Sequence, residues 1–269
     1  MHLEELKNRD TLGDRMKDYE DKAISLDRSL DKYVMIRLDG NHFHTWVKQA
    51  GLKKPFDDRM IWAMQEATKA LCETIPTCVL GYVQSDEISL VLKKGENPNS
   101  EPWFSNRIQK LCSVSASIAT ATFNQYIQTF FSDEEKKPPL AYFDARVIFM
   151  PTLDECINCL IWRQNDCIKN SVSCLAQSLF PQKVLLKKNT DEQKRMMLEE
   201  KGVDWNALST VKKLGTLVHK AKSMGIYDGK AFWRAKFFAD LETPRFTESK
   251  QFLLDAYSFK LEEPGQTEA

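Results

Sequence analysis

The sequence lacks a long hydrophobic segment, since no apolar run approaches the roughly 20 residues that a membrane-spanning helix needs. The first ten residues, MHLEELKNRD, are charged where a signal peptide would need an apolar stretch. We therefore expect a cytoplasmic protein with no membrane partner. Its 269 residues, of which 42% are hydrophobic, suffice for one large domain or two closely packed ones.

The sequence also lacks an excess of charge of either sign, because 38 Lys and Arg balance 38 Asp and Glu. This balance argues against a protein coated with positive charge for nucleic-acid binding. The charge is nevertheless uneven along the chain, and residues 181–250 contain 15 Lys and Arg against 9 Asp and Glu. This region predicts either a surface that meets an RNA backbone or an ordinary solvated helical surface.

Cysteine is present but lacks the spacing of a disulfide framework. The seven cysteines are odd in number, and free thiols in a reducing compartment are the simplest explanation. Cys156 and Cys159 form a Cys-x-x-Cys pair, with Cys167 and Cys174 downstream, which raises a zinc site as an alternative. Because no glycine-containing knuckle surrounds the pair and the segment is predicted to be helical, the pattern favours buried packing.

Apolar periodicity predicts alternating strands and helices over the first 150 residues. Strands are predicted at 33–38, 79–84, 88–92 and 141–150, and helices at 57–75 and 103–131. This order approximates a ferredoxin-like α+β fold, in which two helices cover one face of an antiparallel sheet. The other face is then expected to be free for a substrate.

The chain after residue 150 is predicted to be mostly helical. Helical stretches are expected at 153–179, 191–201 and 205–208, with a short strand around 215–218. The polar segment 263–269, which contains Pro264 and Gly265, is expected to be disordered.

Two acidic residues are predicted to meet at one edge of the sheet. Asp39 follows the first strand, and Asp86 lies in the turn of the hairpin formed by the next two strands. Carboxylate oxygens suit Mg²⁺ bound together with substrate phosphates, and a pair of such ions supports phosphoryl transfer. The alternative is that both residues belong to ordinary acidic turns.

Three basic residues are candidates for phosphate contact. Arg107 and Lys110 are one helical turn apart and would present charge on one face of the second helix, and Lys54 precedes the first helix. Surface Lys and Arg greatly outnumber phosphate ligands, so a solvated position is the alternative for each of the three.

Four motifs occur in an order that carries a family resemblance. They are LGDRMKDYE at 12–20, RLDGNHFH at 37–44, GYVQSDEIS at 81–89 and WRQND at 162–166, supported by YFDAR at 142–146. Together they resemble the tRNA-His guanylyltransferase family over about residues 11–175, and the match becomes loose beyond that point. The resemblance implies a polymerase-like palm that works in the reverse, 3′-to-5′ direction, with tRNA as partner and GTP and ATP as substrates.

The resemblance also implies roles for individual residues. The implied ligands of two Mg²⁺ ions are Asp39, the Gly40 carbonyl and Asp86, with Glu87 supporting catalysis. Nucleotide binding is implied for the main-chain amides of Asn41, His42, Phe43 and His44, for Lys54 and Ser85, and for Asp57, which would read a guanine base. Contacts with phosphate or with the tRNA 5′ end are implied for Arg107, Lys110 and Asn170.

On this basis we predict a catalytic palm core at 1–150 and a helical and mixed part at 151–262 that completes the catalytic domain and contacts tRNA. The family is commonly tetrameric, which implies a homotetramer.

One departure from the family follows the Trp-Arg-Gln motif. Eukaryotic members carry His-Ile-Asn-x-x-Tyr-Asn, where this chain has IKNSVSC at 168–174, without the His and the Tyr. The difference favours the guanylyltransferase-like branch, which resembles a template-dependent repair enzyme for 5′-truncated tRNA, over non-templated addition of one guanosine to tRNA-His. A nucleotide-cyclase signalling domain is a further alternative, since its Gly-Gly-Asp-Glu hairpin is partly matched by Ser85-Asp86-Glu87.

Overall fold

The computed structural model describes residues 11–22, 33–94, 101–132, 137–228 and 230–261, so the segment 263–269 lies outside the described residues. The strands are β1 (Tyr33–Gly40), β2 (Cys78–Gln84), β3 (Glu87–Leu92), β4 (Phe143–Met150), β5 (Thr216–Tyr227) and β6 (Lys230–Asp240). The helices are α1 (Thr11–Lys22), α2 (Phe43–Gln49), α3 (Asp58–Thr74), α4 (Ile108–Gln128), α5 (Leu153–Leu179), α6 (Gln182–Leu185), α7 (Thr190–Lys201), α8 (Thr210–Leu214) and α9 (Lys250–Tyr257).

These strands form one antiparallel sheet in the order β4-β1-β3-β2-β5-β6. The first four strands, together with α3 and α4, have the ferredoxin-like order, which confirms the predicted α+β fold. Strands β5 and β6 continue the sheet beyond β2, so the part of the chain after residue 150 shares a sheet with the part before it.

The β5-β6 hairpin is longer than the sequence predicted. Strand β5 has 12 residues where a short strand around 215–218 was expected, and β6 was not predicted. Large apolar residues in β6 come in adjacent pairs, Phe232-Trp233 and Phe237-Phe238, instead of alternating with polar ones. Since alternation is the signal that identifies a half-buried strand, β6 gave no such signal.

Helices α3 and α4 pack on one face of the sheet and enclose the larger hydrophobic core. Leu71 of α3 and Phe123 of α4 are fully buried there against Ile36 and Leu38 of β1. The helical spacing of the apolar residues predicted both helices. For α3, the predicted range 57–75 agrees closely with the observed Asp58–Thr74. The α4 prediction was too long at its start, where a 3₁₀ turn at Trp103–Asn106 precedes the helix.

The opposite face of the sheet is covered over part of its length, so the expectation that it would be free for a substrate is wrong. Helices α1, α5 and α9 pack there, and Ile157 and Leu160 of α5 are buried against Met35 and Ile148. Along this face β1 presents Met35, then Arg37, then Asp39, because alternate side chains share a face. The face therefore changes from apolar to charged towards the end of β1.

Within the described part of the chain, no helix is long and apolar enough to span a bilayer. All seven cysteines are free thiols, and Cys156 and Cys159 of α5 are buried in the core between this helix and the sheet. The described residues contain no group of three or more His, Cys, Asp or Glu arranged to hold a metal ion. The burial of Cys156 and Cys159 agrees with the packing interpretation of the Cys-x-x-Cys pair.

Candidate active site

The structure brings Asp39 and Asp86 together at one end of the sheet. Asp39 is near the end of β1, and Asp86 lies in the two-residue turn between β2 and β3. The Gly40 amide donates a hydrogen bond to the Asp86 carbonyl at 3.0 Å, which ties the end of β1 to this turn. Both residues line a cavity of about 350 Å³ that α5 closes on one side, here named the α5 cavity.

Burial dominates the electrostatics of these two carboxylates. It raises the pKa of Asp86 to about 6, although the Ser85 hydroxyl, which donates a hydrogen bond to Asp86 Oδ1 at 2.9 Å, acts in the opposite direction. The pKa of Asp39 is also raised, first by burial and then by the negative charge of Asp144, its partner on the neighbouring strand β4. Two adjacent carboxylates with raised pKa values are short of compensating positive charge, which a bound cation would supply.

The donor set fits Mg²⁺ bound together with a substrate. Asp39 and Asp86 offer carboxylate oxygens, and the Gly40 carbonyl is a further candidate donor, in a residue that follows Asp39 and whose amide binds the Asp86 carbonyl. Mg²⁺ typically takes only one or two protein carboxylates and completes its shell with water and phosphate oxygens.

A second cavity of about 450 Å³ adjoins the first, and α2 forms one of its walls. This α2 cavity is lined by side chains that include Phe43, His44, Lys54, Ser85 and Asp86. Pro55, Met60, Ser85, Asp86 and Cys174 line both cavities. The turn that carries Asp86 therefore faces both cavities.

The loop between β1 and α2 presents main-chain amides beside the α2 cavity. His42 adopts a left-handed conformation (φ 55°, ψ 31°), and α2 begins at the next residue. Helix amides in the first turn have no partner four residues back, so those of Phe43 and His44 are oriented outward from the helix start. The Asn41 amide instead donates to the Tyr142 carbonyl at 2.8 Å, which commits it to the fold.

Gly40 is required by the packing of this loop. A Cβ at this position would lie 2.3 Å from the ring of Phe43, which is buried against Trp46 and Phe123. Because that ring cannot move without disturbing the core, any larger residue at position 40 would displace the loop that carries the amides.

Asp57 is engaged in the structure of α3. Its carboxylate caps the helix by accepting from the Arg59 amide at 3.0 Å, and it also accepts from the Lys53 amide at 2.7 Å and the Arg59 guanidinium at 2.8 Å. Burial alone would raise the pKa of Asp57, but these hydrogen bonds lower it to about 2. Asp57 is not among the residues that line either cavity, and its carboxylate is held by these internal hydrogen bonds.

The remaining predicted contacts divide into two groups. Lys54 lines the α2 cavity and Asn170 lines the α5 cavity. Arg107 and Lys110 are exposed at the start of α4, where the Lys110 ammonium lies 5.4 Å from the Phe104 ring, and they line neither cavity. The structure thus gathers the metal and triphosphate candidates but leaves these two basic residues outside.

Arg163 of α5 is a residue that the sequence reasoning did not assign to the site. Its guanidinium forms two hydrogen bonds with Glu87, Nε to Oε1 and Nη2 to Oε2, both at 2.6 Å. Burial would lower the pKa of Arg163, but Glu87 raises it. The signal was available in the Trp-Arg-Gln motif, but the partner of the arginine lies 76 residues away in sequence.

Comparison with known proteins identifies the family. The profile of the family described as tRNAHis guanylyltransferase (Thg1) matches residues 13–151, more than half of the chain. The chain belongs to the tRNAHis guanylyltransferase family. The matched region contains Asp39 and Asp86 and ends before α5.

Relatives of this guanylyltransferase-family protein include a mouse protein named "Probable tRNA(His) guanylyltransferase". The two are 32% identical over 140 residues, which cover 52% of this chain and 45% of the mouse protein. The alignment therefore spans less than half of that relative. The curated family members are named as guanylyltransferases, a class of nucleotidyltransferase.

Two solved structures resemble the guanylyltransferase-family protein over most of its length. Both are bacterial tRNAHis guanylyltransferase (Thg1)-like proteins, one in complex with ATP and the other with GTP. The ATP complex has a TM-score of 0.75 and 38% identity, and the match covers 90% of this chain and 97% of that one. The GTP complex has a TM-score of 0.71 and 34% identity, with 93% and 100% covered. The likeness therefore extends past the matched profile into α5 and beyond.

Proposed function

We propose that this protein is a tRNA 5′-end nucleotidyltransferase that adds nucleotides in the 3′-to-5′ direction. The observation that carries the proposal is the meeting of Asp39 and Asp86 on one cavity, beside the amides of α2 and Lys54. This arrangement occurs in a member of a family named for tRNA guanylyl transfer. The solved relatives with ATP and GTP support both nucleotides as substrates.

In this proposal Asp39, Asp86 and the Gly40 carbonyl hold two Mg²⁺ ions, which would lower the pKa of the attacking hydroxyl and neutralise charge on the leaving oxygens. The α2 amides, Ser85 and Lys54 bind the triphosphate of the incoming nucleotide. These contacts hold the 3′-hydroxyl of the nucleotide in line with the 5′ phosphate of the tRNA. The hydroxyl attacks this phosphate, and the AMP or pyrophosphate attached to it is the leaving group. Arg107, Lys110 and Asn170 contact the RNA or its 5′ phosphate, and Asp57 reads the guanine base.

We further propose that the reaction is template-dependent repair of 5′-truncated tRNA. Ile168 and Ser173 replace the His and Tyr of the eukaryotic motif, whereas the two aspartates are retained. Incubation with GTP, ATP, Mg²⁺ and a tRNA that lacks its first nucleotide, followed by mapping of the 5′ end, tests the reaction. A 5′ end that stays unextended under conditions where GTP is bound would reject it, and addition of a single guanosine to tRNA-His alone would favour the maturation enzyme.

Replacement of Lys54 by alanine is expected to weaken nucleotide binding by about 1–3 kcal/mol, the usual contribution of a charge-assisted hydrogen bond. The reason is its position on the α2 cavity, next to Ser85 and Asp86. The KM for GTP measures the effect, and Arg107→Ala tests the second predicted phosphate contact in the same assay. Lys48→Ala, an exposed lysine of α2 that lines neither cavity, is the matched control. Equal KM values for all three variants and the wild type would show that Lys54 and Arg107 are ordinary solvated surface residues without a role in nucleotide binding.

We also propose that the protein is a cytoplasmic homotetramer, with its seven thiols reduced. The β5-β6 hairpin carries exposed apolar side chains on one face, where Met224 and Trp233 are cross-strand partners and Ile226 follows them; they are 62%, 55% and 74% exposed. Such a patch on a long edge hairpin is typical of a protein interface.

The double variant Met224→Glu with Trp233→Glu is expected to reduce the mass of the particle, because two like charges would be buried at the contact. Light scattering on eluted protein measures the mass. Leu198→Glu on α7, where leucine is 53% exposed, serves as a control that should keep the wild-type mass. A monomeric wild type, or an unchanged mass in the double variant, would rule out assembly through this face.

A further inference from the structure

The guanidinium of Arg163 lies where three parts of the candidate site meet. Besides its two bonds to Glu87, its Nη2 donates to Asp166 Oδ2 at 3.0 Å. The same Asp166 oxygen accepts from the Asn170 amide group at 3.1 Å. A continuous set of hydrogen bonds therefore runs from the start of β3 through Arg163 to Asn170, the candidate contact for the 5′ phosphate.

Glu87 places this network next to both candidate metal ligands. It follows Asp86 directly in the chain and is the register partner of Asp39 across β1 and β3. Because directly paired residues point to the same face of a sheet, the Glu87 and Asp39 side chains share the face that α5 covers. A shift of Glu87 would consequently move the turn that carries Asp86 and the strand end that carries Asp39.

The carboxylate of Glu87 is committed to Arg163. Both of its oxygens take part in the forked pair at 2.6 Å, and both residues are only 8% exposed. The face of the guanidinium is occupied as well, since its carbon lies 4.7 Å from the centre of the Trp162 ring. A planar fork of this kind fixes two partners in direction as well as distance, which a lysine cannot do.

On the α5 side, Arg163, Asp166 and Asn170 are three and four residues apart and share one face of the helix. All three line the α5 cavity together with Asp39 and Asp86. A buried ion pair costs desolvation, and its best-attested use is to define geometry instead of adding stability. The pair between Glu87 and Arg163 has the location expected of such a geometric constraint.

We propose that Arg163 is a positioning residue, which acts through Glu87 to hold the turn of Asp86 and through Asp166 to hold Asn170. Glu87 then supports the site without binding metal. This inference rests on the proposed function, since it concerns the same site. It assigns the Trp-Arg-Gln segment of α5 to alignment of the metal-bearing turn with the predicted 5′-phosphate contact.

A double-mutant cycle tests the inference, with Glu87→Gln, Arg163→Gln and the double variant. Arg163→Gln leaves the buried Glu87 carboxylate without its cation, and Glu87→Gln leaves the Arg163 guanidinium with Asp166 as its one acidic partner among the bonds above. We expect kcat to fall by about tenfold or more for each. The double variant removes both charges and retains two amides that can bond to each other. Its kcat should recover to within about fivefold of the wild type, because the couplings in one network are not additive. The affinity for Mg²⁺ with GTP, measured by calorimetry, should follow the same order.

Two other roles give different results in the same cycle. If Glu87 binds metal, the double variant will be as inactive as Glu87→Gln and will need far more Mg²⁺ for half-maximal activity. If Arg163 contacts a substrate phosphate, the double variant will match Arg163→Gln and its KM for GTP or tRNA will rise. Either outcome overturns the proposal. Arg163→Lys keeps the charge but loses the paired hydrogen bonds to Glu87, so it should lose activity while its melting temperature stays that of the wild type. This variant tests the proposal if a glutamine variant does not fold.

The exposed pair between Lys250 and Asp154 supplies the control. Asp154 also belongs to α5, and its Oδ1 lies 2.8 Å from the Lys250 ammonium, but the two side chains are 71% and 44% exposed. Lys250→Gln with Asp154→Asn should leave kcat and GTP affinity unchanged. A wild type that binds Mg²⁺ with GTP but extends no tRNA would refute the proposed function alone. The double-mutant cycle would then be evaluated from the affinity for Mg²⁺ with GTP. An active wild type with an additive cycle would refute the positioning role alone, and a wild type that binds no GTP would refute both.

Discussion

Asp39→Ala and Asp86→Ala are each expected to reduce nucleotide addition by about a thousandfold, since metal stabilisation of a phosphoryl transition state is worth several kcal/mol. Each substitution removes one of the two carboxylates that line the α5 cavity. The measurement is the initial rate of 5′ extension at saturating GTP and Mg²⁺. Rates close to that of the wild type in either variant would end the assignment of the metal site.

The fold of both variants is expected to survive. The folded-state pKa of Asp86, about 6, lies above its ordinary value, so ionised Asp86 opposes folding. This loss of stability begins as the pH rises above the ordinary pKa of an aspartate and is complete above about pH 6. Removal of the carboxylate should therefore leave the melting temperature at neutral pH unchanged or higher, as is common where function has been favoured over stability. Thermal unfolding checks this expectation.

Asp144→Asn is the matched control for these variants. Asp144 lies on β4 and pairs with Asp39 of β1. Its side chain is 57% exposed, lies 3.4 Å from the Arg146 guanidinium and lines neither cavity. Its replacement should change the rate less than about threefold, the scale of an exposed pair. A loss as large as that of Asp39→Ala would extend the metal site to a third carboxylate.

The second large effect is expected in the choice of nucleotide. A tRNA that lacks its first nucleotide should be restored with the complement of the base at position 72, whichever base stands there, and extension should stop once the stem is complete. Watson–Crick pairing would place the 3′-hydroxyl for attack, so the correct pair raises the rate by positioning. Because misplacement of reacting groups by about 1 Å can cost roughly a hundredfold, a mismatch should slow addition by about that factor.

The assay varies the base at position 72 through all four identities and supplies each nucleoside triphosphate separately. An intact tRNA, whose stem is already complete, is the control and should gain no nucleotide. Guanosine added equally well opposite every base would contradict template dependence and would favour non-templated guanylyl transfer. The prediction rests on Ile168 and Ser173, which occupy the positions where eukaryotic members carry His and Tyr.

Local sequence patterns were sufficient for the first four strands and for α3, α4 and α5. The strands are short β-rich apolar runs, the helices have apolar residues at helical spacing, and Asp57 and Thr152 cap the starts of α3 and α5. The same patterns placed Asp39 at a strand end and Asp86 in a hairpin turn, because both positions follow from the strand limits alone. The pattern failed at β6, whose apolar residues face both sides of a hairpin that extends along the sheet edge.

By itself, the sequence determined which chemistry is available: two carboxylates, one at a strand end and one in a hairpin turn, and ordered motifs that identify the family. Only the tertiary structure decided which residues meet. It joined Arg163 to Glu87 across 76 residues, committed Asp57 and the Asn41 amide to internal hydrogen bonds, left Arg107 and Lys110 outside the cavities, and placed α5 on the supposedly free face. The physical reason is that strand and helix periods are local properties of the chain, whereas burial and ion pairing depend on elements distant in sequence.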